Sequence, residues 1–110
     1  MKTSDAGIEI IKQAEGFEPK PYRDIVGVLT WGYGHAQKAG DVIPASLTEE
    51  EACELLAKDL QRYELAVSGV GATLSQNEFD ACVSLCYNIG IGGFLKSTVV
   101  KRLVAGDYDG

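Results

Sequence analysis

No apolar stretch of this chain approaches the ~20 residues that cross a bilayer. Its start, Met1-Lys2-Thr3-Ser4-Asp5, also lacks the apolar centre of a secretion signal. The protein is therefore expected to be made and kept in the cytoplasm, with no membrane insertion. Basic residues are few and scattered, 10 Lys and Arg against 16 Asp and Glu, for a formal charge of −6. Phosphate binding wants a basic patch, so nucleic acid is not an expected partner. The three cysteines, Cys53, Cys82 and Cys86, have neither metal-site nor redox spacing. Cys82 and Cys86 stand four apart on one helical face, where they read as small buried hydrophobes. Within 110 residues, 45% of them hydrophobic, there is room for one domain with a modest core.

The informative stretch runs from Glu15 to His35: Glu15-Gly16-Phe17, then Tyr22-Arg23-Asp24, then Thr30-Trp31-Gly32-Tyr33-Gly34-His35. Ser4 can cap a helix that begins at the acidic Asp5. Ile8, Ile11 and Glu15 fall at i, i+3 and i+7, so Glu15 continues the apolar face, and Gly16 stops the helix. A carboxyl at the inner edge of such a face is partly desolvated, which raises its pKa and suits a general acid. From position alone the simpler reading is a fraying end that turns Glu15 to solvent. Pro19 and Pro21 push the chain into an extended path. Residues 22 to 35 then read as strand, turn, strand. With the turn centred on Gly27, Asp24 and Thr30 are expected to face each other across a hairpin. Gly32 and Gly34 alternate with Trp31, Tyr33 and His35, and are expected to open room for sugar rings along a cleft. The plainer readings are a surface acid for Asp24 and a β-branched strand filler for Thr30.

Residues 36 to 47 read as a loop in which Val42-Ile43 can add a short third strand. Thr48-Glu49-Glu50-Glu51 is a capping box that opens a helix. Ala52, Leu55, Leu56, Leu60, Tyr63 and Val67 form its apolar stripe. Asp59 lies inside that stripe, and an unpaired buried carboxylate is costly. The only histidine, His35, is the candidate partner, in a structural rather than a catalytic pair. A slight helix rotation that leaves Asp59 wet is the rival reading. Ser75-Gln76-Asn77-Glu78 is a second capping box, with Phe79, Cys82, Val83, Cys86 and Tyr87 on the core face. Residues 88–94 break that helix, and a last one is expected from about Leu95 to Ala105. The order of helix, small sheet and three helices gives an α+β layout with its strands near the N-terminus.

With a Glu, eight residues, an Asp, five residues and a Thr, the sequence resembles the phage-type lysozymes. These are the muramidase endolysins of glycoside hydrolase family 24, and the likeness is nearer the lambdoid and P22-like branch. Leu47-Thr48, Asn88-Ile89-Gly90 with Phe94, Ser97-Thr98 and Ala105-Gly106-Asp107-Tyr108 extend it over nearly the whole chain. The resemblance implies a lysozyme-like α+β fold and hydrolysis of the β-1,4 bond between N-acetylmuramic acid and N-acetylglucosamine in peptidoglycan, for host-cell lysis. It makes Glu15 the acid for the leaving oxygen, and has Asp24 and Thr30 position and activate water. Inversion is the expected outcome. It pairs the position of His35 with that of Asp59, and gives Tyr33, Gly34, Tyr87 and Ser97 as cleft-lining residues that bind substrate. It implies no metal or organic cofactor, peptidoglycan glycan strands as the partner, and release from the cytoplasm through a holin pore.

Family members usually run roughly forty residues further. The single domain of residues 1–110 is thus expected to lack its C-terminal helices and to expose apolar faces around residues 79–104. Such surface promotes association, so a homodimer and weak or absent activity are expected despite intact catalytic positions. Two rival functions are a catalytically impaired peptidoglycan-binding fragment and a lytic transglycosylase. The first is separated by clearing of a cell-wall suspension against Glu15→Gln, the second by the chemistry of the product ends.

Overall fold

The computed structural model describes residues 1–106. In order, these form α1 (Asp5–Glu15), β1 (Glu18–Arg23), β2 (Leu29–Gly32), β3 (His35–Ala36), α2 (Glu49–Ser68), α3 (Gln76–Ile89), α4 (Ile91–Leu95) and α5 (Thr98–Val104). The expected α+β layout is present. Of the motif at residues 105–108, Asp107 and Tyr108 lie outside the described residues. Two compact units divide the chain: residues 11–59, and residues 1–10 with 60–110.

The first unit holds the sheet, in antiparallel order β1-β2-β3. Its edge strand β1 carries Pro19 and Pro21, which have no N–H to give a ladder. The pairing slips there: β1 advances from Glu18 to Tyr22 while β2 moves only from Gly32 to Thr30. Such a bulge is the usual way an edge strand accommodates proline. Beyond it the register is regular, with Tyr22 opposite Thr30 and Arg23 opposite Leu29. The third strand is not Val42-Ile43, as expected, but His35–Ala36, paired with Trp31 and Thr30. Val42 is 88% exposed, so nothing pins it to the sheet. Gly32 and Gly34, at φ +66° and +83°, let the chain reverse around Tyr33. They serve that reversal, and Gly32 is buried, which corrects the idea that both open a cleft. Thr48 starts α2 as anticipated: it accepts the Glu51 amide at 3.1 Å, and its own amide donates to the Glu51 carboxylate at 2.9 Å. Ile11, Trp31, Tyr33, Ala52 and Leu56 are the buried apolar side chains of this unit.

In the second unit, Leu60, Val67, Phe79, Val83, Cys86, Phe94, Val100 and Leu103 are buried. Ser75 and Glu78 complete a reciprocal capping box at the start of α3. Gly90, at φ +86°, ends that helix. The single last helix expected from residue 95 is instead two. α4 already starts at Ile91, which buries Phe94, and Ser97 interrupts in extended conformation. The Ser97 hydroxyl then accepts the Val100 amide at 3.2 Å and starts α5. A hydroxyl that satisfies an orphan amide makes a new start cheaper than an unbroken helix.

Asp80, on α3, fixes the start of α1. The Ser4 amide donates to it at 3.0 Å, the Ser4 hydroxyl donates to its other oxygen, and the Gln76 side chain donates at 2.8 Å. This close approach requires Gly7, because a Cβ there would sit 2.6 Å from the Asp80 Cγ.

Candidate active site

Glu15 is the last residue of α1. Gly16, at φ +76°, turns the chain away, and its amide closes on the Lys12 carbonyl at 2.9 Å. The apolar face of α1 ends at buried Ile11, and Glu15 itself is exposed, which corrects its placement on the buried stripe. Even so, partial desolvation lifts its carboxyl above the ordinary value. The two facts are compatible. Protein atoms surround the group at longer range and lower its local dielectric, while its own oxygens still touch water. No hydrogen bond engages that carboxyl among the described residues.

Asp24 follows β1 and closes the β1–β2 hairpin. Its amide donates to the Val28 carbonyl at 2.9 Å, and its carbonyl accepts the Gly27 amide at 2.9 Å. Its Oδ1 accepts two more amides, Val26 at 3.0 Å and Val28 at 2.8 Å. Asp24 therefore stands opposite Val28, and Thr30 stands opposite Tyr22. The expected direct facing of Asp24 and Thr30 is replaced by a diagonal one. Tyr22 and Thr30, directly paired, project from one face, and Asp24 follows Tyr22 by two residues just past the end of the strand. Thr30 is buried, and its hydroxyl donates to the Val28 carbonyl at 3.1 Å. The oxygen keeps lone pairs that can accept from water.

Tyr22 links these positions. Desolvation pushes its phenol up, followed by the negative fields of Glu18, Glu15 and Asp24. One phenol thus feels both carboxyls of the expected acid pair. Sequence reasoning quoted Tyr22 only as part of a motif. The signal was its parity: two residues before Asp24 on a strand, it shares the side of Asp24.

His35 is buried, with Nδ1 2.6 Å from Asp59 Oδ2 and Nε2 2.8 Å from Asp41 Oδ2. Lys38 Nζ lies 3.6 Å from the other Asp59 oxygen. Asp59 is buried, and wet Asp59 is the reading that the geometry removes. Asp41 was not singled out in the sequence. The Lys38 amide and then the His35 ring hold its carboxyl below the ordinary range. It returns to the histidine through a loop, which no periodicity reveals.

Among the expected substrate-binding residues, Tyr33 needs correction. Its ring is only 5% exposed, packs on Phe17 at 5.6 Å, and places its hydroxyl 3.3 Å from Glu49. A ring so covered presents no face to a sugar. Gly34 is half-buried in the β2–β3 reversal. Tyr87 and Ser97 belong to the other unit. There Tyr87 meets Tyr63 edge-on at 5.1 Å, and Ser97 is occupied with its helix cap. Cys82 and Cys86 are buried, and burial pushes the Cys86 thiol up to about 11, which makes it inert. Chemically, the first unit offers a carboxyl of raised proton affinity, a second carboxyl with one oxygen unengaged among the described residues, and a strand hydroxyl near the same hairpin end.

The sequence profile described as Phage lysozyme matches residues 12–110. An endolysin from Acyrthosiphon pisum secondary endosymbiont phage 1 is 40% identical, over 100% of this chain and 75% of its own length. The endolysin of Salmonella phage P22 is 41% identical, over 98% of this chain and 77% of its own. Among solved structures, the muramidase domain of SpmX from Asticaccaulis excentricus superposes with a TM-score of 0.87 at 39% identity. That match covers 96% of this chain and 71% of the other.

Proposed function

Since the chain belongs to the phage lysozyme family, whose work is the hydrolysis of peptidoglycan, we propose that Glu15, Asp24 and Thr30 carry that reaction in this protein. The bond is the β-1,4 link between N-acetylmuramic acid and N-acetylglucosamine. Glu15 gives its proton to the leaving oxygen. A sugar leaving as alkoxide is a poor leaving group, and protonation in the transition state removes that obstacle. The raised proton affinity of Glu15 keeps the acid form available closer to neutral pH. Asp24 plays the complementary part. Its free oxygen accepts a proton from water, and the Thr30 hydroxyl helps to hold that water. Attack from the far side of the ring then inverts the anomeric carbon. Inverting enzymes keep their carboxyls roughly 6.5–9.5 Å apart to admit the water.

The observation that carries this reading is the placement of the three groups within one unit: Glu15 ends α1, Asp24 closes the hairpin that follows it with Oδ1 held by two amides, and Thr30 lies on the partner strand opposite Tyr22. Clearing of a cell-wall suspension tests it. Glu15→Gln should slow clearing by about 10²–10⁴-fold. Equal rates for variant and wild type would remove Glu15 from the chemistry. Mass spectrometry of the products should show reducing ends. Anhydro-muramic ends would instead make the protein a lytic transglycosylase.

His35 and Asp59 have a structural role in this reading, joining the third strand to α2. For delivery, we propose passage from the cytoplasm through a holin pore, in keeping with the phage-lysis relatives. No helix among the described residues is long and apolar enough to cross a membrane. A homodimer through apolar surface of residues 79–104 is proposed as well, with Leu95, Val99 and Val104 exposed there.

A further inference from the structure

The loop that closes the β1–β2 hairpin has five residues, Asp24-Ile25-Val26-Gly27-Val28, and Ile25 and Val26 at its tip are exposed. Ile25 is 101% exposed, and a Cβ built on Gly27 would meet nothing within 4 Å. The loop is nevertheless tightly defined. The Gly27 amide returns to the Asp24 carbonyl, and the Asp24 amide reaches the Val28 carbonyl. Arg23 Nη1 donates to the Gly27 carbonyl at 2.9 Å. Gly27 itself is left-handed, at φ +86°. Between the closing pair Asp24 and Val28, the turn of Ile25 and Val26 followed by left-handed Gly27 is a standard three-residue hairpin connection.

The consequence falls on Asp24. The amides of Val26 and Val28, on either side of Gly27, both donate to Oδ1 of its carboxylate. Oδ2 takes no hydrogen bond among the described residues. Two donors on one oxygen fix the side-chain rotamer and leave the other oxygen as the proton acceptor. We infer that Gly27 is a positioning residue: its left-handed backbone closes the loop so that the Val28 amide joins the Val26 amide on Oδ1 of Asp24, and so presents Oδ2 to the attacking water. This rests on the role proposed above for Asp24. It adds the device that orients that group. Gly27 does not act on the substrate, and its side chain, having none, cannot be what matters.

The site allows a clean test, because a Cβ at residue 27 meets no described atom within 4 Å, so a substitution there acts chiefly through the backbone. Gly27→Val disfavours a positive φ, whereas Gly27→Asn tolerates it. On glycan strands, Gly27→Val should lower kcat by about tenfold, as small misplacements of a reacting group do, with KM within about twofold of wild type. Gly27→Asn should restore kcat to within about twofold of wild type. Amide exchange at Val26 and Val28 should be slow in wild type and Gly27→Asn, and fast in Gly27→Val, with thermal melting little changed. A Gly27→Val protein with wild-type kcat, beside an inactive Asp24→Asn, overturns the inference and spares the role of Asp24. Slow exchange retained in Gly27→Val overturns it too, as does an equal loss in Gly27→Val and Gly27→Asn. An Asp24→Asn protein with wild-type kcat removes the role of Asp24 and the inference with it.

Discussion

A carboxyl that touches water is usually an ordinary carboxyl, and Glu15 departs from that rule. It is exposed at the end of α1, yet the surrounding protein raises its proton affinity. The sequence revealed the acid and its helix-terminal position, because a helical stripe and a following glycine are local patterns. Of the two readings it left for the side chain, the exposed helix end is the one found, because the last turn of a helix projects past the face that periodicity describes. Tyr22 and Asp41 were harder still: a cross-strand register and a loop return are set by pairing, not by spacing. The raised affinity has a cost for folding. Below the unfolded-state pKa, near 4.3, Glu15 is protonated in both states and costs nothing. As pH rises through its higher folded-state value, the native protein must carry a charge in a less solvated place than the unfolded chain does. The stability it permits in acid is then lost. Glu15→Gln should therefore melt above wild type at pH 7, while clearing cell walls far more slowly. The two melting temperatures should converge below about pH 4. A variant that melts lower than wild type at pH 7 would show that the native state favours the charge.

The same reasoning with opposite sign applies where two elements meet. α1 and α3 are tied by the Asp80 carboxylate, which lies in the second unit with Ser4 and Gln76. Burial works against its charge, but the Ser4 hydroxyl, the Ser4 amide and the Gln76 side chain outweigh it and hold the group below the ordinary range. A depressed carboxyl adds stability above its unfolded pKa, near 3.9, and that stability fades as pH falls through the folded value. Urea unfolding at pH 5.5 and pH 3 should show wild type losing more stability than Asp80→Asn over the interval. Parallel losses would mean that Asp80 carries no net preference for the charged form. Elements whose ends are written in adjacent residues were legible: both capping boxes, at Thr48 and Ser75, start helices where the sequence places them. Elements decided by distant contacts were not. β3 falls at His35–Ala36, where the ladder to Trp31 and Thr30 continues, and not at the more β-prone Val42-Ile43. The tie from Asp80 to α1 gives no sequence signal, since Ser4 lies 76 residues earlier.

For the whole molecule, the order of helix, sheet and helices was readable because each segment keeps its own period, and the lysozyme-like fold follows that order. What surrounds the molecule depends on quantities that no single element holds. Each copy carries a formal charge of −6, so two copies repel at long range. Each also exposes Leu95, Val99 and Val104 within the run proposed as a dimer surface. The apolar attraction acts at contact, whereas the repulsion reaches about one Debye length, ~20–30 Å at low salt and ~8 Å near physiological ionic strength. Salt should therefore unmask association. In sedimentation equilibrium the protein should be largely monomeric at low ionic strength and should shift toward dimer as sodium chloride is added. Val99→Lys should hold it monomeric throughout, because a charge in the contact must be desolvated. If wild type keeps a monomer mass at high salt and high concentration, the residues 79–104 surface is not a self-interface. Dimer at low salt that dissociates on adding salt would point to an ionic contact elsewhere, and would overturn the apolar one.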